Sequence, residues 1–446
     1  MAFRRVLRPF DATMVVIGGI IGSGIFINPR LVAQSLDSSW LVLLAWAVGG
    51  LVALCGAFAY AELGSRFPQA GGQYVYLKDA WHPLAGFLYV WALLLIIETG
   101  AMAAVSIIFA EYLLRFLGRS DAAALPIAVA ALVVVSAVNY VGVKPGSRVL
   151  NVFVVLKVAA LGVLIGLGLL MPAGSSGWLS DTRVVEGVAA GGTIAFGAAL
   201  IPILFSYGGW QCANYIAEEI NAPEKNLPRS LIIGVIVVVV VYVLVNVAYL
   251  RLLGLEGLAG TPTPAADAAA SVLGPAGDKF VALAIAISTF GFLDLAVLAP
   301  TRVYYAAAAD GYLPSALARL HPRYGTPTLA IVVQAAWAIL LVLTGTYGDL
   351  LNSVVFADWI FFGGTVAALF VWRSRSKGTA EPPNPPDTTY YRSPLYPYLP
   401  GFFVLVAAAV VASVIIEAPA RAAAGTLLIA TGIPVFYYFG GRRTRA

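Results

Sequence analysis

The chain has 446 residues, 60% of them apolar and 11% charged, with a net charge of +5 and a mean hydropathy of +0.88. A soluble protein carries about 25% charged residues, so this apolar excess excludes one water-soluble core and leaves an all-α polytopic membrane protein. Cys55 and Cys212 give no disulfide framework or zinc spacing, and His82 and His321 are too few for a metalloenzyme or a His-based hydrolase. No cofactor and no metal are expected. The small positive charge calls for no nucleic-acid partner.

The first stretch, MAFRRVLRPFDATMVVIGG, has the flavour of a signal peptide. It lacks a small-residue cleavage site, and its apolar run continues through GSG into IFINP, so it is read as a retained first span. Apolar runs then predict twelve transmembrane helices, near 11–34, 40–63, 84–112, 124–142, 148–171, 190–217, 229–253, 277–307, 327–345, 349–371, 396–416 and 422–440. Residues 69–82, QAGGQYVYLKDAWH, read as a short amphipathic helix at the membrane surface. Residues 373–394 form a polar, proline-rich loop, and 173–187 and 255–276 are the longest loops on the opposite face. Nineteen Lys and Arg residues fall on the side of the N-terminus and seven on the other. The bias places both termini in the cytoplasm. The short loops point to a prokaryotic inner membrane.

Two spans carry glycine where a helix should continue. Span 1 reads VIGGIIGSGIF at its centre, and span 6 reads LFSYGGWQ. Glycine costs a helix interior about 1 kcal/mol relative to alanine, and unwound backbone at membrane depth survives only when buried in protein or lining a cavity. Interruptions at corresponding places in two halves point to a transporter site built from an inverted repeat. Spans 1–5 and 6–10 are the predicted repeats, within 1–172 and 188–371, and 396–440 adds spans 11–12. At such a break one half-helix offers free N–H groups to a carboxylate and the other offers free carbonyls to an ammonium. Both ends of a zwitterionic amino acid are thereby matched. The alternative reading, close helix packing on small residues, suits the GG pairs at 18–19 and 363–364 better than the paired GSG and SYGGW.

GGIIGSGIF and FSYGGWQCANYIAEEINAPEKNLPRSL resemble the span 1 and span 6 signatures of the amino acid–polyamine–organocation (APC) superfamily, closest to its L-type amino acid transporter branch. RFPQAGGQYVYL and FGFLDLAVLAPTRVYYAAAADGYLP are similar too, so the resemblance covers nearly the whole chain. It implies a LeuT-type 5+5 inverted repeat with broken spans 1 and 6, and transport of amino acids. By the same resemblance Gly22, Ser23 and Gly24 match the loop that holds the substrate carboxylate, and Ile20 and Ile21 match carbonyls that meet its amine. Phe205 matches an aromatic that closes over the substrate. Ser206, Tyr207 and Gly208 match the unwound part of span 6, and Gln211 stands where eukaryotic members often have asparagine. Eukaryotic members also use a cysteine after span 3 to bond a glycoprotein; residues 113–123 contain none, so no disulfide-linked glycoprotein partner is expected.

Ionisable residues at membrane depth are functional suspects. Lys157 lies about 12 Å into span 5, too deep for easy snorkelling. Similar transporters place a lysine ammonium here, in the space a sodium ion fills in sodium-coupled relatives. Lys157 is therefore expected to bridge spans 1 and 8 near Gly22 and Ser288 or Thr289, and its proton is a candidate for coupling. Glu98, Asp294 and Asp358 are the other deep carboxylates, as proton carriers or as structural groups; Asp358 and Trp359 either line the cavity or face a neighbouring helix. Glu62, Glu218 and Glu219 sit at cytoplasmic span ends, as inner-gate ion pairs or as solvated ends. No charge adjoins the breaks, so the expected substrate is a neutral L-amino acid, moved by alternating access through sodium-independent exchange or facilitated diffusion. Proton-coupled symport is the near alternative and a non-transporting amino acid sensor the alternative of another class. An enzyme is disfavoured for want of a nucleophile–base or metal constellation.

Overall fold

The computed structural model describes residues 3–172, 178–182, 193–344, 347–375 and 390–443. Its α-helices in chain order are α1 (Pro9–Ile20), α2 (Gly24–Ser35), α3 (Ser39–Arg66), α4 (Gln73–Ala80), α5 (Pro83–Ala92), α6 (Glu98–Phe116), α7 (Ala124–Val141), α8 (Val143–Leu170), α9 (Thr193–Ser206) and α10 (Cys212–Tyr215). Then come α11 (Pro223–Gly260), α12 (Pro264–Leu273), α13 (Pro275–Leu298), α14 (Thr301–Ala309), α15 (Thr328–Thr344), α16 (Tyr347–Arg375), α17 (Tyr398–Glu417), α18 (Pro419–Ala430) and α19 (Gly432–Arg443). Among the described residues nine helices are long and apolar enough to cross a membrane, or ten if α1 and α2, bent by 43° at their junction, count as one span. Such a bundle is an integral membrane protein, because helices satisfy their own backbone groups in lipid.

Local sequence explains several helix ends. Proline at the first position opens α1, α5, α11, α12 and α13, where its missing N–H costs nothing. Asp11 of α1 reaches back to accept the Arg8 N–H at 2.8 Å. Between α5 and α6 the chain makes a π-helical turn over Leu93–Ile97, and the Thr99 hydroxyl donates to the Leu94 carbonyl at 2.7 Å. Such turns concentrate at functional places, and buried Glu98 follows this one directly.

The centre of the bundle is α1, packed among α8, α11 and α13, with α2 against α9 and α11. α3 runs along α11, and α17 covers α16 and α3. Two sequence expectations need adjustment. Residues 255–276, expected as a loop, are largely helical: α11 continues to Gly260 past a kink at Gly254 (φ 68°), and α12 follows. Alanine supplies half of α12 and favours the helix. The helix expected at 69–82 does form as α4, but six of its eight residues are buried, so it is packed into the protein rather than laid on a surface. Of the polar loop at 373–394, residues 376–389 lie outside the described residues, as do 173–177 and 183–187 of the other long loop. The last part of the polar loop is anchored: Ser393 N–H donates to Glu62 Oε2 at 2.7 Å.

Candidate functional site

Helix α1 stops at Ile20 and α2 starts at Gly24. The last four carbonyls of a helix have no partner within it; here Ile17 O accepts the Ile21 N–H at 2.9 Å, while the Gly18 and Ile21 carbonyls find partners on other elements. Lys157 Nζ, fully buried on α8, donates to Gly18 O at 3.0 Å and to Ile21 O at 2.5 Å. The Ser288 hydroxyl of α13 lies 3.4 Å from Ile21 O and 3.2 Å from Gly22 O. Gly22 N–H turns back onto Ile20 O at 2.9 Å. One ammonium and one hydroxyl thus fasten the broken helix to α8 and α13. Thr289 is placed differently, since its hydroxyl donates to Ile285 O and Ala286 O of its own helix at 2.7 and 3.1 Å.

The second interruption follows α9, with a turn over 207–211 before α10. The Gln211 side chain accepts the Gly209 N–H at 3.0 Å and so caps this turn. The two breaks meet backbone to backbone. Gly209 has φ +103°, a conformation that favours glycine, and a Cβ there would press on the Gly19 carbonyl. A Cβ on Gly19 would likewise press on the Gly209 carbonyl, and one on Gly24 would come within 2.7 Å of Ser206 Oγ. The Gly18–Gly19 pair is therefore a packing feature, with Gly18 against Leu150 and Val154. Gly22 differs from these. Nothing lies within 4 Å of where its Cβ would be, and it and Ser23 are partly exposed.

Side chains around the second break divide by direction. Phe205 is exposed. Ser206 Oγ donates to Pro202 O at 2.8 Å and accepts from Asn28 Nδ2 of α2 at 2.8 Å. The Tyr207 hydroxyl donates to Trp46 O at 3.1 Å, and its ring packs on Trp46 and Tyr242, so the side chain belongs to the α3–α11 interface. Trp210 packs against Tyr60, Phe362 and Phe403, and Trp359 stacks on Phe403, so both face neighbouring helices. Tyr242 of α11 is a residue that sequence reading missed. Its hydroxyl is 3.0 Å from Ile20 O and 3.3 Å from Ser206 O, and so touches both breaks. Only its place in an apolar run, VVVVVYVLVN, hinted at a role.

On the face that carries the N-terminus the bundle is fastened shut. Val6 and Leu7 N–H both donate to Glu219 O at 2.9 Å, and Asn221 N–H returns to Leu7 O at 2.9 Å. The Glu219 carboxylate accepts from Arg302 Nε at 2.7 Å, with both side chains buried. Burial pushes the Glu219 carboxyl up from its ordinary range while Arg302 opposes it. Glu218 accepts Phe3 N–H at 3.3 Å and Ala70 N–H at 3.1 Å. Fully buried Glu62 holds Arg66 at 2.8 Å and Arg373 at 2.5 Å. These three acids are ion-paired or hydrogen-bonded rather than solvated. Among the deep acids, Asp294 accepts from Asn139 Nδ2 at 2.7 Å, and Glu98 is buried. Cys55 and Cys212 are both free and buried, and the described residues hold no cluster of three metal-ligating side chains.

Within this bundle of apolar helices, α1 and α2 meet at an open glycine, and a buried lysine rests on carbonyls at the end of α1. The chain belongs to the amino acid permease family, whose model matches residues 7–439, and within the APC superfamily to its L-type branch. It is 30% identical to the large neutral amino acids transporter small subunit 2 of Mus musculus over 98% of this chain and 81% of that protein. It is also 30% identical to the serine/threonine exchanger SteT of Bacillus subtilis (strain 168), over 96% and 94%, and to the Asc-type amino acid transporter 1 of Homo sapiens, over 98% and 82%.

Proposed function

We propose that this protein exchanges neutral L-amino acids across a membrane by alternating access, without sodium. The observation that carries the reading is Gly22: a partly exposed glycine with open space beside it, set between the carbonyl end of α1 and the N–H end of α2. These ends attract an ammonium and a carboxylate respectively. Gly22, Ser23 and Gly24 would hold the carboxylate. The carbonyls of Ile20 and Ile21 would share the amine with Tyr242, Lys157 and Ser288, which already engage them. Phe205 is free to close over the substrate, whereas Ser206, Tyr207 and Gly208 shape the break from behind. Lys157 takes the place of a sodium ion, its charge resting on two carbonyls as a cation's would. Relatives named as amino acid transporters and as an exchanger support the substrate class and the exchange.

In this reading α1–α2, α3, α5–α6, α7 and α8 are spans 1–5 of the first repeat, within 1–172. The helices α9–α10, α11, α13, α15 and α16 are spans 6–10 of the second, within 188–371, and α17 and α18–α19 add two, within 396–440. The lysine and arginine bias puts both termini in the cytoplasm of a prokaryotic cell, the fastened face inward, and the protein works without a disulfide-linked partner. The test is uptake of a radiolabelled amino acid panel by proteoliposomes, with and without internal amino acid, in sodium and sodium-free buffer at clamped pH. Uptake that requires internal neutral amino acid and ignores sodium is expected. A sodium requirement would overturn the reading of Lys157, and no flux of any amino acid would overturn the transport reading.

A further inference from the structure

A cavity of about 600 Å³ lies on the fastened face, away from the two breaks. One wall is Arg4 and Val6 of the N-terminal peptide. The others are the turn from α7 into α8, including Lys144, and the segment 320–325, including His321 and Arg323. Arg4, Lys144 and Arg323 have no carboxylate partner among the described residues. Glu219, the one acid in the lining, is engaged by Arg302. The His321 Nδ1 accepts N–H groups from Arg323 and Tyr324, both at 3.3 Å. A neutral ring must then carry its proton on Nε2, which leaves that N–H as a donor. The N-terminal end of α8 adds its dipole to the positive field.

We infer that this cavity binds a phosphate-bearing anion. Arg4, Lys144 and Arg323 are exposed and line one cavity, which gives it a positive potential, and a phosphate offers several oxygens to arginine forks, an ammonium and N–H donors at once. A zwitterionic amino acid would leave most of the positive charge uncompensated. The cavity is much larger than a phosphate group, and Val6, Val141, Val143, Leu320 and Pro322 give its organic remainder an apolar wall. Occupancy has a mechanical consequence. Arg4 belongs to the peptide whose Val6 and Leu7 N–H groups clasp Glu219 O, whereas Lys144 and Arg323 stand on other elements. A bound phosphate ties the peptide to them and holds this face closed.

The test is isothermal titration of the full chain in uncharged detergent at fixed ionic strength, with inorganic phosphate, glycerol 3-phosphate and dioctanoyl phosphatidic acid as probes. Saturable one-to-one binding is expected, at least tenfold weaker in Arg4→Gln/Lys144→Gln/Arg323→Gln and unchanged in the control Arg119→Gln/Arg229→Gln. Binding of glycerol 3-phosphate as tightly as the lipid supports a soluble ligand, and binding of the lipid alone supports a headgroup. Saturation by none of the probes, or equal binding by the triple variant, overturns the site. Slower hydrogen exchange at Val6 and Leu7 in the bound protein is expected, and unchanged exchange there overturns the tie. Binding is read without transport, so its failure and that of the exchange reading are separate results.

Discussion

Lys157 ties the end of α1 to α8. Its ammonium is fully buried, and among the described residues it donates to two carbonyls at the end of α1, Gly18 O and Ile21 O. Replacing it by alanine leaves buried acceptors unsatisfied, at about 1–3 kcal/mol. Lys157→Ala should therefore lower the exchange rate at least tenfold in proteoliposomes; unchanged exchange would reduce Lys157 to a packing residue. Gly22 makes a complementary case. Its Cβ would enter open space, so Gly22→Ala should fold with an unaltered melting temperature yet bind substrate at least tenfold more weakly, as read by titration. Equal affinity would move the substrate away from Gly22. Phe205→Ala should shorten substrate retention in a dissociation assay, because its exposed ring is placed beside the second break where it can cover the substrate; unchanged retention would remove it from that role. The sequence exposed these residues through their type: a lysine and an open glycine in apolar spans are anomalies. Tyr242 carried no such mark, since a tyrosine in a membrane helix is ordinary and its two carbonyl partners lie 222 and 36 residues away.

At the scale of the element, both interruptions were legible because glycine is costly in a helix. Which glycines serve packing was not. Gly19 and Gly209 press backbone on backbone, and the positive φ of Gly209 adds a second reason for glycine there. Gly209→Ala should lower the melting temperature of the purified protein, whereas Gly162→Ala, with open space at its Cβ, should not. Equal melting temperatures would place the crossing of the two breaks elsewhere. Tyr207 and Trp210 show the same limit. The sequence shows rings beside the break, but the turn at 207–211 rotates them away toward α3, α11, α16 and α17.

For the whole molecule, the pair of Glu219 and Arg302 and the peptide at Val6–Leu7 close one face. Breaking a buried ion pair by removing one partner costs about 3–5 kcal/mol, because the other charge stays buried alone. Glu219→Gln should lower the melting temperature, and adding Arg302→Met should restore part of it. If the double variant melted no higher than the single one, the pair would not be what Glu219 contributes. The same closure decides the fate of the acids at span ends, which composition alone leaves open between solvated and paired.

The sequence by itself determined the class of protein, its all-helical apolar build, the glycines at the two interruptions and the buried lysine beside one of them, but not a span count, since nine or ten of the twelve expected spans are long and apolar enough among the described residues. Hydropathy, helix propensity and the cost of a charge in lipid act along the chain and leave their record locally. Only the tertiary structure decided which side chains satisfy the freed carbonyls, that Ser288 rather than Thr289 reaches the break, and that Tyr242 touches both interruptions. It also decided that α4 is buried and that three cations with no carboxylate partner among the described residues line one cavity. These depend on how helices far apart in the chain are rotated and brought together, and no local pattern encodes a rotation.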